Sequence, residues 1–273
     1  MARLADRYVG ELFRKFGRFA PWLPDVPVQL GAVGVIENGE FRRKTTLASL
    51  GIAVTASPPG PATVLDHTSA RGVTLTMKAE GQLLPDSPLA AAEAGASVSF
   101  SRVGGIVLQS SGVRARTILN AGEVARSILA RFAQRAWEED WVFVDEVRSA
   151  RSTTILISEE NDTRLDLRAS GKVAPSVPLS GAFVVAAKRG SITSFVGAAG
   201  FTPLFNLSRV KKEWLVSLVG KTPAGTVVGA KRARPARGLR SSARRTNDAE
   251  LLEPVSFDEG SRSDRGEAED RRA

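Results

Sequence analysis

The chain contains no cysteine and a single histidine among its 273 residues. The first absence excludes disulfides, thiolate zinc sites, a cysteine nucleophile and S-palmitoylation together. With His67 alone, no two-histidine metal site can form, and any serine triad would have to run through that one residue. No nucleophile-elbow glycine pattern surrounds any serine. His67, in Leu65-Asp66-His67-Thr68-Ser69 after the Pro58-Pro59-Gly60-Pro61 stretch, therefore reads as a loop or strand-edge residue without a chemical role. Runs of about eighteen apolar residues are also missing, so any membrane role falls to amphipathic or β elements. Met1 to Ala20 alternates charge with apolar residues, and no secretory signal is read there. The protein is expected to be made soluble. No catalytic residue, metal or cofactor is expected.

What is present is segregated in charge. Lys221, Lys231, Arg232, Arg234, Arg237, Arg240, Arg244 and Arg245 follow one another without an acidic residue up to Asn247. From Asp248 to Ala273 the balance reverses, with nine acidic residues against four arginines. Such a stretch, poor in large apolar side chains, cannot bury enough surface to offset its ordering entropy. The division expected is a body over 1–220 and a charge-segregated tail over 221–273, disordered by composition. The tail's acidic half nevertheless holds Leu251, Leu252, Val255 and Phe257, a cluster able to dock on a basic body. The basic half reads as an accessible linker, with dibasic Arg244-Arg245 open to a trypsin-like protease. The chain as a whole carries a net charge of +9, which points to anionic partners or to an arginine-rich composition.

Leu4, Tyr8, Leu12 and Phe16 recur every four residues, with Val9 and Phe13 beside them and Arg3, Arg7, Arg14, Lys15 and Arg18 on the remaining surface. This predicts a basic amphipathic helix, weakened by Gly10 and Gly17 and ended by Pro21 and Pro24. Such a helix either lies in a membrane interface through Arg3, Arg7, Tyr8, Leu12, Phe13, Arg14, Phe16 and Arg18 or docks on its own core. Asn38-Gly39, between Val33-Gly34-Val35-Ile36 and Phe41-Arg42-Arg43-Lys44, predicts a two-residue hairpin turn. Short strands are expected at Gly72 to Lys78, Ala96 to Val103 and Gly105 to Gln109. Asn120 and Glu123 resemble a capping box opening a helix through Val124, Ile128, Phe132 and Ala136 to about Glu139. Beyond it, Trp141 to Val144, Thr153 to Ile157, Arg164 to Arg168, Phe183 to Ala187, Ile192 to Val196 and Phe201 to Val210 read as strands. The turn Glu159-Glu160-Asn161-Asp162 is read as a hairpin tip, and Lys188-Arg189-Gly190 as the turn of another strand pair. The fold class expected is α+β: a twisted, mainly antiparallel sheet with an N-terminal and a central helix.

Other motifs point nowhere in particular. Gly220-Lys221-Thr222 lacks the glycine a phosphate loop needs five residues earlier, where Leu215 stands. The acidic pairs Glu138-Glu139-Asp140, Asp145-Glu146 and Glu159-Glu160 read as solvated surface. The basic run Lys231 to Arg245 suits nonspecific phosphate contact but holds no aromatic residue for base stacking.

The order of the second half resembles a known family. A helix is followed by Trp141-Val142-Phe143-Val144-Asp145-Glu146-Val147-Arg148-Ser149-Ala150-Arg151-Ser152, a long β-hairpin, a polar interruption, the strand Gly181 to Ala187, and Gly200-Phe201-Thr202-Pro203-Leu204-Phe205-Asn206-Leu207. That order, over roughly Ala96 to Lys212, is similar to the pore-forming domain of gasdermins, and the serine alternation at Ser97 to Ser101 resembles their first membrane-inserting hairpin. Bacterial gasdermins are about this long, with a body followed by a short inhibitory peptide that a partner protease removes. The resemblance implies a cytoplasmic cell-death effector of antiviral defence that moves to the inner face of the cell membrane, binds anionic lipid and assembles into a homo-oligomeric pore. It implies inserting strands through Val98, Phe100, Ile106, Leu108, Ile155, Ile157, Leu165 and Leu167. The alternating stretches near 96–118 and 150–168 reach the nine to eleven or so residues a membrane strand needs. A rival expectation is a non-enzymatic β-rich binding module whose basic tail recruits nucleic acid or an acidic protein.

Overall fold

Asn38 and Gly39 both take positive φ, 52° and 74°, and Glu37 pairs with Glu40 across them. The turn forms as the dipeptide predicts, because both central positions need the left-handed region that Asn and Gly tolerate. The computed structural model describes residues 2–22, 27–77, 96–169, 183–197, 201–219 and 251–257. In chain order these form α1 (Ala2–Phe16), β1 (Ala32–Glu37), β2 (Glu40–Thr46), β3 (Thr63–Thr68), β4 (Val73–Met77), β5 (Ala96–Phe100) and β6 (Ile106–Thr117). Then come α2 (Ala121–Ala133), β7 (Val142–Ala150), β8 (Ser152–Ser158), β9 (Thr163–Ala169), β10 (Phe183–Arg189), β11 (Ile192–Gly197), β12 (Phe201–Val210), α3 (Lys212–Val219) and β13 (Leu252–Pro254). The fold is α+β, and the paired strands are antiparallel.

A nine-stranded sheet runs β11-β8-β6-β7-β1-β2, with β3 on β6, β12 on β7 and β13 on β12; a four-stranded sheet runs β10-β9-β5-β4. Alternation gives the large sheet two buried faces. In β7, Val142 and Val144 enter a cluster with Tyr8, Val9 and Leu12 of α1, whereas Phe143 enters one with Val124 and Ile128 of α2 and Leu215 of α3. In β6 and β8, Ile106, Leu108, Ile155 and Ile157 face the α1 cluster, and Val107 and Leu156 face the small sheet through Val98, Phe100 and Leu165.

The two hairpins read from the sequence pair differently from the expectation. β8 joins β6 and β11 in the large sheet, while β9 joins β5 and β10 in the small one, so Glu159 to Asp162 is a corner between sheets and no hairpin tip. β10 and β11 likewise belong to different sheets, so Phe183 to Ala187 and Ile192 to Val196 do not pair. β3 to β4 and β5 to β6 make the same passage. Four strands are therefore each bent once, and the order β3-β6-β8-β11 in one sheet is repeated as β4-β5-β9-β10 in the other. Each bend holds one residue at positive φ: Gly72 (83°), Gly104 (72°), Asp162 (52°) and Gly190 (80°). Backbone bonds lace the bends to one another, among them Ser101 N to Gly72 O (2.8 Å), Gly104 N to Ser158 O (2.7 Å) and Glu159 N to Ser191 O (3.0 Å).

Three local expectations are corrected. Gly17, at φ 64°, ends α1 by donating its N–H to Phe13 O at 2.7 Å, four residues before Pro21. Asn120 makes no side-chain cap; its Oδ1 accepts from Thr55 N (2.8 Å) and its Nδ2 donates to Ala53 O (3.1 Å), stapling the 53–55 segment to the helix start. Helix α2 stops at Ala133, with Arg135 left-handed at φ 57°, and Trp137 turns into the α2 cluster.

Candidate functional site

Helix α1 reaches two of the four bends through charged side chains. Arg7 Nη1 donates to Val103 O at 2.7 Å, on the β5–β6 bend. One turn on, Glu11 Oε1 accepts from Ser69 Oγ at 2.6 Å and lies 2.9 Å from His67 Nε2, at the β3–β4 bend. Ser69 Oγ in turn accepts from Ile106 N at 2.9 Å, tying this bend to the start of β6. Arg7 and Glu11 stand four apart, the spacing that puts both on one face of a helix. The helix clasps the bent unit from outside. The carboxylate lies between the serine and the imidazole, so the histidine cannot deprotonate the hydroxyl and the trio is no nucleophilic triad.

Burial pushes the Glu11 carboxyl upward, but hydrogen bonds from His67 and Ser69 and the positive charge of Arg7 hold it below the ordinary carboxylate value. A depressed folded value means that the clasp's contribution is fully present above the unfolded carboxylate pKa and is lost as pH falls through the folded one. Glu11→Gln is therefore expected to lower the melting temperature at neutral pH. The wild-type and variant curves should draw together as the pH falls below the ordinary glutamate value of about 4.3, and parallel curves down to pH 3 would show that Glu11 carries no such link.

A second polar group fixes the end of α1. Arg18 forks onto Glu146, at 2.7 and 3.2 Å, and Arg148 reaches the same carboxylate at 2.9 Å. Burial raises Glu146, yet the two arginines hold it below its ordinary range. Neighbouring Asp145 goes the other way, raised by burial and by Glu146 despite a 2.7 Å bond from Ser208 Oγ. Asp145-Glu146, expected at the surface, is thus half-buried structure, because β12 and the chain after α1 cover that strand.

Residues 251–257 are seated on the body. β13 adds to the edge of β12 in the register Ser208 to Pro254, Arg209 to Glu253 and Val210 to Leu252. Lys211 N donates to Leu251 O and Val255 N to Leu207 O, both at 3.0 Å, and Arg209 Nε meets Glu253 Oε1 at 2.6 Å. Leu251, 5% exposed, enters the α2–α3 cluster, with Leu252 packed beside it. Val255, 4% exposed, enters the α1 cluster. Phe257 lies against α1 and the β1–β2 turn: a Cβ on Gly10 would stand 3.0 Å from its ring, and one on Gly39 3.1 Å. Its ring centroid is 6.0 Å from that of Phe13.

The structure distributes the residues singled out from sequence as follows. Tyr8 and Leu12 are buried and Phe13 and Phe16 partly so, all against the α1 cluster; Arg7 and Arg18 are engaged, and Arg14 is exposed. The aromatic stripe faces protein. The side chains of Arg3 and Leu167, and all of Arg244 and Arg245, lie outside the described residues. Of the strand residues, Val98, Phe100 and Leu165 face the space between the two sheets, while Ile106, Leu108, Ile155 and Ile157 face α1. Sequence reasoning passed over Glu11, Ser69 and the bend residues Gly72 and Gly104. The signal for the bends was a positive-φ-tolerant residue between two alternating runs, repeated four times. Among the described residues no helix is long and apolar enough to cross a membrane, and no group of three or more metal-ligating side chains converges.

No family model matches the chain, and no curated protein matches it. A solved structure, the cryo-EM structure of the gasdermin A3 membrane pore, aligns with 76% of this chain and 90% of that one at 11% identity and a TM-score of 0.34. The likeness is remote.

Proposed function

We propose that this protein forms membrane pores, and that the structure described is its resting form. The observation that supports the reading is the line of four bends. Strands β3 and β4, β5 and β6, β8 and β9, and β10 and β11 keep the same neighbours on both sides of the bend, so straightening it breaks no strand pairing and yields four long antiparallel strands. Thr63 to Met77, the shortest of them with Phe183 to Gly197, already exceeds the nine to eleven or so residues needed to cross a bilayer. In continuous strands, alternation and the register of Val98 with Leu165, Ile106 with Ile157 and Leu108 with Ile155 put these residues and Phe100 on one face, which would become the apolar side. Opposite it on β4 and β5 lie Thr74, Thr76, Ser97 and Ser99, suited to an aqueous lumen. Four strands cannot close a barrel alone, so edges in lipid require neighbouring copies.

Two devices hold the resting form in this reading: the α1 clasp on the bends and the seated segment 251–257, whose Phe257 presses on α1 at Gly10 between Arg7 and Glu11. Cutting the connection over 220–250 lets the segment leave, and its departure frees the helix and then the bends. The freed helix turns its aromatic stripe and arginines toward anionic lipid. No residue is catalytic. The test is release of a trapped dye from vesicles of anionic phospholipid by full-length protein and by residues 1–220. Strong release by the truncated form alone is expected, and equal, negligible release from both would end the proposal.

A further inference from the structure

The seat of residues 251–257 has the features of a peptide receptor rather than of a covalent continuation of the fold. Three anchors stand at the first, fifth and seventh positions: Leu251 enters the α2–α3 cluster, and Val255 and Phe257 the α1 cluster, where Phe257 lies between the helix at Gly10 on one side and Gly39 on the other. Between the anchors the backbone is read by strand pairing with β12, and Glu253 is read by Arg209 at 2.6 Å. This is strand addition, in which main-chain bonds supply affinity and side-chain pockets supply selectivity. The slot is the selective element. Gly10 and Gly39 stand on two sides of the ring with Phe13 beside it, and a side chain on either glycine would meet the Phe257 ring inside ordinary van der Waals distance, at 3.0 and 3.1 Å. Gly39 is already committed by its φ of 74°, but Gly10 lies within a helix, where glycine weakens the element. A space for an aromatic ring accounts for glycine at that position.

The tether does not dictate the seat. Leu251 pairs with Lys211, immediately before α3, and the eight residues of α3 rise only about 12 Å. Residues 220–250 span up to about 100 Å when extended, far more than the return requires. A connection of that length sets an effective concentration in the millimolar range without positioning the strand. These contacts must therefore specify the register by themselves.

We infer that this groove binds the 251–257 segment in trans: the severed segment, and any extended peptide with apolar residues at positions one and five and an aromatic at seven, occupies it without a covalent link. Scission of the connection then yields a nicked complex that persists until the segment dissociates. The inference rests on the seat and is separate from the pore reading, which vesicle release tests.

The experiment uses the full chain with a site-specific protease sequence placed within 220–250, cut in solution without lipid. The severed fragment is expected to co-elute with the body at low micromolar concentration. A fluorescent peptide of residues 248–260 should exchange into the nicked complex saturably, and the same peptide carrying Phe257→Ala should bind at least tenfold more weakly. With Gly10→Leu in the chain the slot is filled, and the two peptides should bind alike. Immediate loss of the fragment with no peptide binding would overturn the inference. So would equal binding of the two peptides by the unmodified chain. Peptide binding by a chain whose truncated form, residues 1–220, releases no dye would leave the receptor intact and remove the pore.

Discussion

Gly34→Ala is expected to be the most damaging single methyl group in the chain. A Cβ at Gly34 would stand 2.0 Å from Arg42 O and 3.0 Å from Arg43 Cα, both backbone atoms of the paired strand. The cause is a bulge: Val33 faces Thr45 but Gly34 faces Arg43, so Lys44 is the extra residue and β2 folds over β1 at that point. A flexible side chain would move aside, but two backbones in register cannot. On its other side Gly34 pairs with Val142, so β1 cannot retreat without opening its contact to β7. The expected cost is about 3 kcal/mol or more, roughly 6–12 °C in melting temperature for a chain of this size. Gly60→Ala, whose added carbon would lie 3.5 Å from Ala115 O, serves as the tolerated control. Thermal melts that place the two variants within a degree of each other would show that the bulge relaxes.

The second large effect is expected from charge in the seat. Leu251→Asp with Val255→Asp places a carboxylate in each of two apolar clusters. Burying an unpaired carboxylate costs several kcal/mol, more than a short edge strand supplies in return, so the segment should leave its seat while the body stays folded. The amide of Lys211, bonded to Leu251 O at 3.0 Å, reports this directly. Its hydrogen exchange should accelerate by at least a hundredfold, while amides in β7 keep their protection. On the pore reading, the uncut double variant should also empty anionic vesicles. An exposed segment with silent vesicles would mean that the seat does not restrain the body.

Local features were legible where chemistry acts between neighbours. The Asn38-Gly39 turn follows from backbone sterics, and the stripe Leu4, Tyr8, Leu12, Phe16 defines α1 with its buried side. The apolar cluster of the acidic tail pointed to a docking segment, since Leu251, Val255 and Phe257 had no other use in that composition. What the sequence could not convey was partner choice. The β-prone run Thr153 to Ile157 and the strict alternation in Arg164 to Arg168 look the same whether the strands pair with each other or with β6 and β5. The difference between hairpin tip and corner lies in sheet pairing far along the chain. Charged residues misled for a related reason. Asp145-Glu146 reads as solvated, and Glu11 draws no notice, because their partners Ser208, Arg18, His67 and Ser69 are distant in sequence. Asn120 has the right neighbour for a cap, but the 53–55 segment takes its amide first.

Pro254 gives the seated segment one more property. Among the described residues it stands in the outermost strand of that side of the large sheet, opposite Ser208, and has no N–H to donate outward. An unpaired strand edge invites another chain to add to it, and proline is one of the residues that make such an edge sterile. While the segment is seated, the body ends on that side in a strand poorly suited to being copied. Its departure bares β12 from Leu207 to Lys211, including Lys211's unpaired amide, and turns a terminated surface into an adhesive one. The short peptide is therefore an insulator between molecules as well as a restraint within one, and crowded solutions of the truncated body should associate through that edge before any lipid is present.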